Sequence, residues 1–298
     1  MKEKLVRRKV MKILALSVGL GVAAAFSAFC FDWPQDAVSS DSFYSYFGQL
    51  RGGKISSSLI FSDCSPVKAA DDGMILAVIA EHDEDMGWFE STLGNAVIME
   101  HSDSVMSVYA NLDGENMQDS VYDFSEVKKG TVFALSGNSG WQQGTSCLEF
   151  QVIDLLQKSA VNPRLVMPHE GREQPLEVGK ISAVSKNGTV YPVWNQMVLP
   201  SGQYYFYRTR QKSAVPYKTS FFVNGALVER IIYDRLKQHE MKLCVAGNSF
   251  YSSEQVYPSA DMQLLSKVML SSGKNIITVS LNDILGAEKT SEFVIYVK

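Results

Sequence analysis

Residues 147–152, CLEFQV, contain the side chains of this chain whose types and spacing could do chemistry. Because successive side chains of a strand point to opposite faces, Cys147 and Glu149 share one face with Gln151. The apolar residues between them form the opposite face, which is suited to a core. A thiolate and a carboxylate at positions i and i+2 are both metal ligands, so this face is a candidate for chemistry.

The elements that must position this segment are predicted to be strands. From Ile55 onward, short β-favouring runs alternate with Gly, Asp and Asn turns, and no helical period before residue 170 is long enough to matter. A turn is expected at Asp154–Lys158. The sequence therefore predicts an all-β domain, with strands within 57–61, 66–80, 95–101, 104–112, 130–137 and 147–153.

Five ordered motifs accompany these strands and cover some 110 residues. They are Pro66-Val67-Lys68-Ala69 with Asp72-Gly73, GNAVIMEH at 94–101, YANL at 109–112, VKKG at 127–130, and the glycine-punctuated stretch that ends in Cys147-Leu148-Glu149-Phe150. This order resembles the lysostaphin-like (LytM-type) peptidoglycan metallopeptidases, whose closing motif ends in H-L-H-F. The resemblance implies a LytM-like β-sheet domain over 51–168.

The resemblance also implies where a zinc site would stand. The family holds zinc with the His and Asp of an H-x-x-x-D strand and with the second His of H-x-H, and two further histidines assist catalysis. Aligned with that pattern, Ser56 and Ile60 replace the strand ligands. Asn111, Cys147 and Glu149 replace the three remaining histidines. Since all five positions differ, the resemblance implies a catalytically inactive pseudoenzyme without a cofactor.

One alternative keeps some chemistry, because Cys147 with Glu149 could hold a metal if Asn111 or Asp63 supplied a third ligand. The chain would then be an active peptidoglycan metalloendopeptidase with an atypical metal site. The alignment at Ser56 could slip by a residue or two, but a slip does not restore the site, since no histidine precedes residue 82. A cysteine nucleophile at residue 147 would need a histidine base, which the alignment does not supply. His101 matches a family histidine that is not a ligand.

In the resembled family the five substituted positions line a cleft shaped for an extended peptide. We therefore expect Ser56, Ile60, Asn111, Cys147 and Glu149 to form a vestigial binding groove. The acidic loop 81–91, with Trp88 and Phe89, is expected to form one groove wall. The partner implied by the resemblance is peptidoglycan or a cell-wall hydrolase.

The N-terminal segment 1–30 has the layout of a secretory signal peptide: a basic start, an apolar run and small residues before a cleavage point. This predicts a periplasmic or exported protein. An uncleaved membrane anchor is the alternative, and it would be the chain's one attachment to a membrane. The net charge is −4 and no basic run occurs past residue 12, which argues against nucleic acid. The cysteines left after cleavage are odd in number and give no disulfide framework.

The remaining boundaries come from composition and pattern. Residues 31–50 are aromatic-rich and are predicted to be an N-terminal strap packed on the first domain, and 169–178 is predicted to be a polar linker. Residues 179–298 are predicted to form an immunoglobulin-like β-sandwich, because short strands recur with Asn-Gly turns at 187–188 and 224–225. Residues 230–240 are the one candidate for a helix in this domain. A strap, two β-domains and a linker are thus expected after the signal peptide.

Overall fold

The computed structural model describes residues 31–80, 91–140, 147–169, 171–195 and 197–298. The predicted signal peptide, as well as Trp88 and Phe89, lies outside the described residues. Residues 31–298 form one compact unit. Within the described ranges, no helix has both the length and the apolar character needed to span a bilayer.

The N-terminal region, residues 31–168, is built of short strands as predicted. Its alternating and β-branched runs pair into antiparallel ladders, with single 3₁₀ turns at the connections. The strands are β1 (Phe43–Ser45), β2 (Leu50–Arg51), β3 (Lys54–Ile55), β4 (Leu59–Phe61), β5 (Pro66–Lys68), β6 (Gly73–Ile79), β7 (Asn95–His101), β8 (Val105–Leu112), β9 (Glu126–Val127), β10 (Val132–Leu135), β11 (Glu149–Asp154) and β12 (Ser159–Val161). The 3₁₀ turns are Ser102–Ser104, Gly114–Asn116, Asp119–Asp123 and Pro163–Leu165.

Strand β11 lies at the centre of this region. It pairs antiparallel with β8, with β12 and, at its first residues, with β4. The rings of Tyr109 and Phe150 lie beside each other, 5.2 Å between centroids, and Phe133 packs edge-on against Tyr109. This aromatic cluster fixes the apolar face of β11, so the opposite face has a defined set of neighbours.

The C-terminal region, residues 179–298, is a two-sheet β-sandwich. One sheet has the order β14-β13-β16-β21, and the other includes β15-β23-β22-β17-β18 with β15 parallel to β23. Its strands are β13 (Ile181–Ser185), β14 (Val190–Val193), β15 (Met197–Leu199), β16 (Gly202–Thr209), β17 (Lys218–Val223), β18 (Ala226–His239), β19 (Lys242–Ala246), β20 (Phe250–Tyr251), β21 (Met262–Leu270), β22 (Gly273–Asn282) and β23 (Glu288–Val297), with the short helix α1 (Ser253–Val256). The all-β class and the second β-domain are confirmed.

The core of this sandwich lies between the inward faces of the two sheets. Phe206 on β16 and Phe221 on β17 are fully buried, with their ring centroids 4.8 Å apart. The predicted turn at Asn224-Gly225 joins β17 to β18, and both residues have the positive φ that such a tight turn requires. Alternating apolar residues of β22 and β23 complete the core.

The interpretation of 230–240 as a helix candidate is wrong, because this stretch forms the second half of the long strand β18. Its burial alternates, with Ile231, Tyr233 and Leu236 inside and charged residues between them half-buried or exposed. Strands pair with β18 on both edges, with β17 and β19 on opposite edges and with β12 on the edge opposite β19. This pairing satisfies the backbone groups that a helix would bond internally. Tertiary pairing therefore overrides the local pattern.

The two regions share one sheet. β12 of the N-terminal region pairs antiparallel with β18 of the C-terminal region, in the register Ser159↔Lys237 to Val161↔Arg235. Asn162, just after β12, donates from its amide to the Tyr233 carbonyl at 3.0 Å. Hydrogen bonds therefore run continuously from one region into the other.

The strap and the linker meet beside this shared sheet. The described residues of 169–178 carry no strand or helix, and Glu173 pairs with Arg164, whose guanidinium stacks over the rings of Phe43 and Tyr46. Ser40 of the strap donates to the Arg172 carbonyl at 2.7 Å. Packed aromatic residues and an ion pair thus hold the linker against the strap.

Candidate functional site: a degenerate centre on β11

Strand register brings the five predicted site positions together. Glu149, the first residue of β11, is the direct partner of Ile60 on β4 and of Ala110 on β8. Asn111 follows Ala110 in the same strand, and its side chain reaches Cys147. Their common location follows from the pairing of three strands, since cross-strand partners lie about 5 Å apart.

All five positions are buried. Ile60, Asn111 and Cys147 have no exposed surface, while Ser56 and Glu149 are each 6% exposed. The sequence predicted that the polar face of β11 would present its side chains to a groove. In the structure both faces of the strand are covered at Glu149, so any ligand of this centre would first have to move what covers it.

The Glu149 carboxylate is held by an arginine and by neighbouring polar groups. Arg51 Nη1 donates to Oε2 at 3.0 Å, and Ser58 Oγ donates to Oε1 at 2.7 Å. Gln151 Nε2 adds a longer contact to Oε1 at 3.4 Å. A buried carboxylate is tolerated when its charge is balanced and its oxygens accept hydrogen bonds. Here a guanidinium supplies the balancing charge.

Ser56 belongs to the same network through Ser58. The two hydroxyl oxygens are 3.2 Å apart, and the Ser58 hydroxyl in turn donates to the Glu149 carboxylate. Since Ser56 stands where the resembled family has a ligand, a small hydroxyl now fills that position and takes part in a hydrogen-bond chain.

Asn111 joins the end of β8 to the glycine-rich turn at 137–140. Its Nδ2 donates to the carbonyls of Gly137, at 2.8 Å, and Cys147, at 2.6 Å, and its Oδ1 accepts from the Gly140 amide at 2.7 Å. The residue has φ +63°, a conformation that asparagine tolerates better than most side chains. Both polar atoms of the side-chain amide therefore bond to backbone groups, and these bonds hold the turn at 137–140 against β8.

Cys147 is a thiol rather than a thiolate. Burial raises its pKa to about 11, although the nearby Arg51 acts in the opposite direction. The thiolate is the form that attacks substrates and binds metals. At neutral pH the thiol is therefore not in the form that attacks a substrate.

A zinc ion does not fit these residues. A catalytic zinc needs three protein donors and an open position, but Ile60 has no donor atom and the amide of Asn111 is used by the backbone. Glu149 is already paired with Arg51. Among the residues that the structure describes, no group of three or more His, Cys, Asp and Glu side chains could hold a metal.

Two further positions considered from the sequence lie apart from this network. Asp63 is exposed. His101 bonds through Nδ1 to the Asp72 carbonyl at 2.8 Å and through Nε2 to Ser107 at 2.7 Å. Its ring packs beside Phe31, which makes it a core residue of the strap contact.

A small hairpin carries Arg51 to the centre. Strands β2 and β3 pair with each other in the register Leu50↔Ile55 and Arg51↔Lys54, and form a two-stranded sheet of their own. We call residues 50–55 the cover hairpin. Ile55, at its end, is 3% exposed, and Gly52 and Gly53 form its exposed tip with positive φ.

Sequence reasoning missed Arg51 and Ser58, which complete the centre. Ser58 carried a weak signal, because it lies two residues from both Ser56 and Ile60 and therefore shares their side of an extended chain. Arg51 carried none, since it lies outside the motif-bearing strands and reaches Glu149 only through the fold of the cover hairpin.

Comparisons with known proteins agree with this geometry. The model of a family described as Peptidase family M23 matches residues 58–163. Residues 58–163 are therefore a domain of peptidase family M23. The matched range contains Ile60, Asn111, Cys147 and Glu149 and ends before the linker. Arg51 and Ser56 lie just outside it.

Two further similarities concern the C-terminal region and a bacterial relative of this chain. A separate family model matches residues 175–298, which covers the C-terminal sandwich. A protein of Treponema pallidum (strain Nichols), described as an uncharacterized protein, is 32% identical over 119 residues. That similarity covers 37% of this chain and 78% of the relative.

Proposed function

We propose that this chain is an exported, catalytically inactive M23-family protein that acts as a binding or regulatory module of the cell envelope. The observation that carries the proposal is the pairing of Glu149 with Arg51 opposite Ile60. A cationic side chain stands against the remaining carboxylate, and an isoleucine faces it where the family pattern has an aspartate. Both features oppose the binding of a second cation.

The export part of the proposal rests on the N-terminal sequence. A basic start, an apolar run and Ala28-Phe29-Cys30 have the order of a secretory signal peptide. An M23 fold supplies a reason for a cell-wall setting, and the second β-domain adds surface for binding rather than chemistry. Peptidoglycan or a cell-wall hydrolase is therefore the proposed partner.

The first experiment measures metal and hydrolysis on the purified full chain. We expect well under one zinc per chain by elemental analysis, and no release of fragments from purified peptidoglycan, because a three-donor site is missing. Glu149→Gln serves as the matched variant and should leave the metal content unchanged. About one zinc per chain, lost in Glu149→Gln, would contradict the inactive assignment.

The second experiment measures binding. The full chain should co-sediment with isolated sacculi or, if the partner is a hydrolase, should increase the activity of an added cell-wall amidase on those sacculi. Bovine serum albumin controls for trapping in the pellet. If the chain neither co-sediments nor changes hydrolysis, the proposed role in the envelope is wrong.

A further inference from the structure

We propose that the cover hairpin is a lid over the degenerate centre, and that the C-terminal region sets its closed position. The inference adds a form of regulation to the proposed function, and its biological meaning rests on that function. Its structural content stands independently, because it concerns which contacts keep Cys147 and Glu149 out of solvent.

The cover hairpin has little stability of its own. Each of its strands is two residues long, and the pair forms no ladder with the large sheet beneath it. Isolated two-stranded hairpins are marginal in water even when they are longer. Side-chain contacts to its surroundings must therefore decide where the hairpin lies.

One contact points down into the N-terminal region. Arg51 reaches Glu149 at 3.0 Å, with 28% of the arginine side chain exposed and only 8% of the glutamate side chain. The arginine of this ion pair, on the cover hairpin, is thus partly exposed to solvent, whereas the glutamate on β11 is buried. Moving the hairpin outward would bring the arginine into water and open a path to the carboxylate.

The other contacts come from the C-terminal region. Ser253, at the start of α1, donates from Oγ to the Gly53 carbonyl at 2.7 Å, and Tyr257 donates from its hydroxyl to the Gly48 carbonyl at 2.5 Å. A Cβ at Gly48 would lie 2.8 Å from the ring of Tyr233, so the backbone approaches that ring closely. The tip of the cover hairpin, at Gly53, and the chain just before the hairpin, at Gly48, are therefore held by side chains about two hundred residues away in sequence.

Cys147 offers a natural reporter of lid opening. Its side chain lies at the centre with no exposed surface, while Cys64 is exposed and Cys244 is buried in the C-terminal region. Alkylation of the full chain by iodoacetamide, followed by peptide mass spectrometry, gives a separate rate for each thiol. Cys64 reports reagent activity, Cys244 reports opening of the C-terminal region, and Cys147 reports opening of the centre.

Two variants test the two sides of the lid. Arg51→Gln removes the charged contact, and we expect about a tenfold faster alkylation of Cys147, as loss of one charge-assisted hydrogen bond would give. The double variant Ser253→Ala, Tyr257→Phe removes the two hydrogen bonds to the Gly53 and Gly48 carbonyls. We expect it to raise the same rate roughly threefold to tenfold. Lys54→Gln removes an exposed charge of the same hairpin and should change nothing.

The proposal holds if Cys147 alone reacts faster in both variants while Cys244 keeps its rate. A parallel rise at Cys244 would indicate general unfolding, and an unchanged rate at Cys147 would mean that the hairpin covers nothing; either result overturns the proposal. If Arg51→Gln acts but the double variant does not, control by the C-terminal region is refuted. Binding to sacculi is measured separately, so failure of the envelope role and failure of the lid are distinguishable.

Discussion

The two regions of this molecule use similar strands to build different interiors. Around β11 the interior is polar. Ser58 donates a hydrogen bond to Glu149, and the Asn111 amide is buried with its backbone partners. The core of the C-terminal sandwich is apolar and aromatic, with Phe206 and Phe221 at its centre.

The difference shows that the positions aligned with the family's zinc site form a polar interior, although their residue types differ from the family pattern. Apolar packing tolerates many arrangements of similar volume. A buried polar group instead requires particular partners, since each unmet donor or acceptor costs about 1–3 kcal/mol. The N-terminal centre is thus fixed by directional bonds, and the C-terminal core by volume.

The largest expected effect tests the apolar interior. Phe221→Ala should lower the free energy of unfolding by about 3–5 kcal/mol, because it removes a fully buried ring and leaves a cavity between the sheets. Urea denaturation measures the loss. Val198→Ala, at a half-exposed position on β15 of the same region, is the matched control and should cost far less. An equal loss of unfolding free energy in the two variants would show that Phe221 does not belong to the core of the sandwich.

A somewhat smaller effect is expected for the polar interior. Asn111→Ala should cost about 2–4 kcal/mol, because it removes two buried hydrogen bonds and one part-buried hydrogen bond to the backbone and places alanine at a positive φ. The control Asn116→Ala removes an exposed asparagine side chain in the adjoining 3₁₀ turn. A cost at Asn111 no greater than at Asn116 would mean that directional bonds do not fix this centre.

The smallest effect concerns pH. Burial lowers the pKa of His101, so the folded protein favours the neutral ring and the unfolded chain binds more protons as pH falls through about 6.5. This contribution to stability is therefore present above that pH and is lost below it. His101→Gln should reduce the drop in thermal midpoint between about pH 7.5 and about pH 5.5.

The matched variant for this measurement is His239→Gln, which changes a half-exposed histidine on β18 of the other region. It should leave the pH dependence of the wild-type protein unchanged. The pKa of His169 is also lowered by burial, but this residue is common to all three proteins and cancels from the comparison. A wild-type drop retained in His101→Gln would show that another group produces it.

Much of the fold was predictable because strand signals are local. Alternation in β11, and the Asn-Gly turn before β18, specify strands and a hairpin from a few adjacent residues. The second half of strand β18 has the local pattern of a helix candidate, since charged residues interrupt the alternation and one pairing partner, β12, comes from a distant segment. The same limit applied to Arg51, whose contact with Glu149 spans 98 residues of sequence.

The sequence by itself determined that the fold is all-β and M23-like, and that the residue types of a zinc site are missing, because both follow from motif order and from chemistry at known positions. Only the tertiary structure decided that Arg51 balances Glu149, that the site positions are buried, and that β12 pairs with β18 to join the two regions. The physical reason is distance along the chain. A side chain's type limits what it can bond, but the partner that neutralises or covers it is selected by strand register and by packing between remote segments.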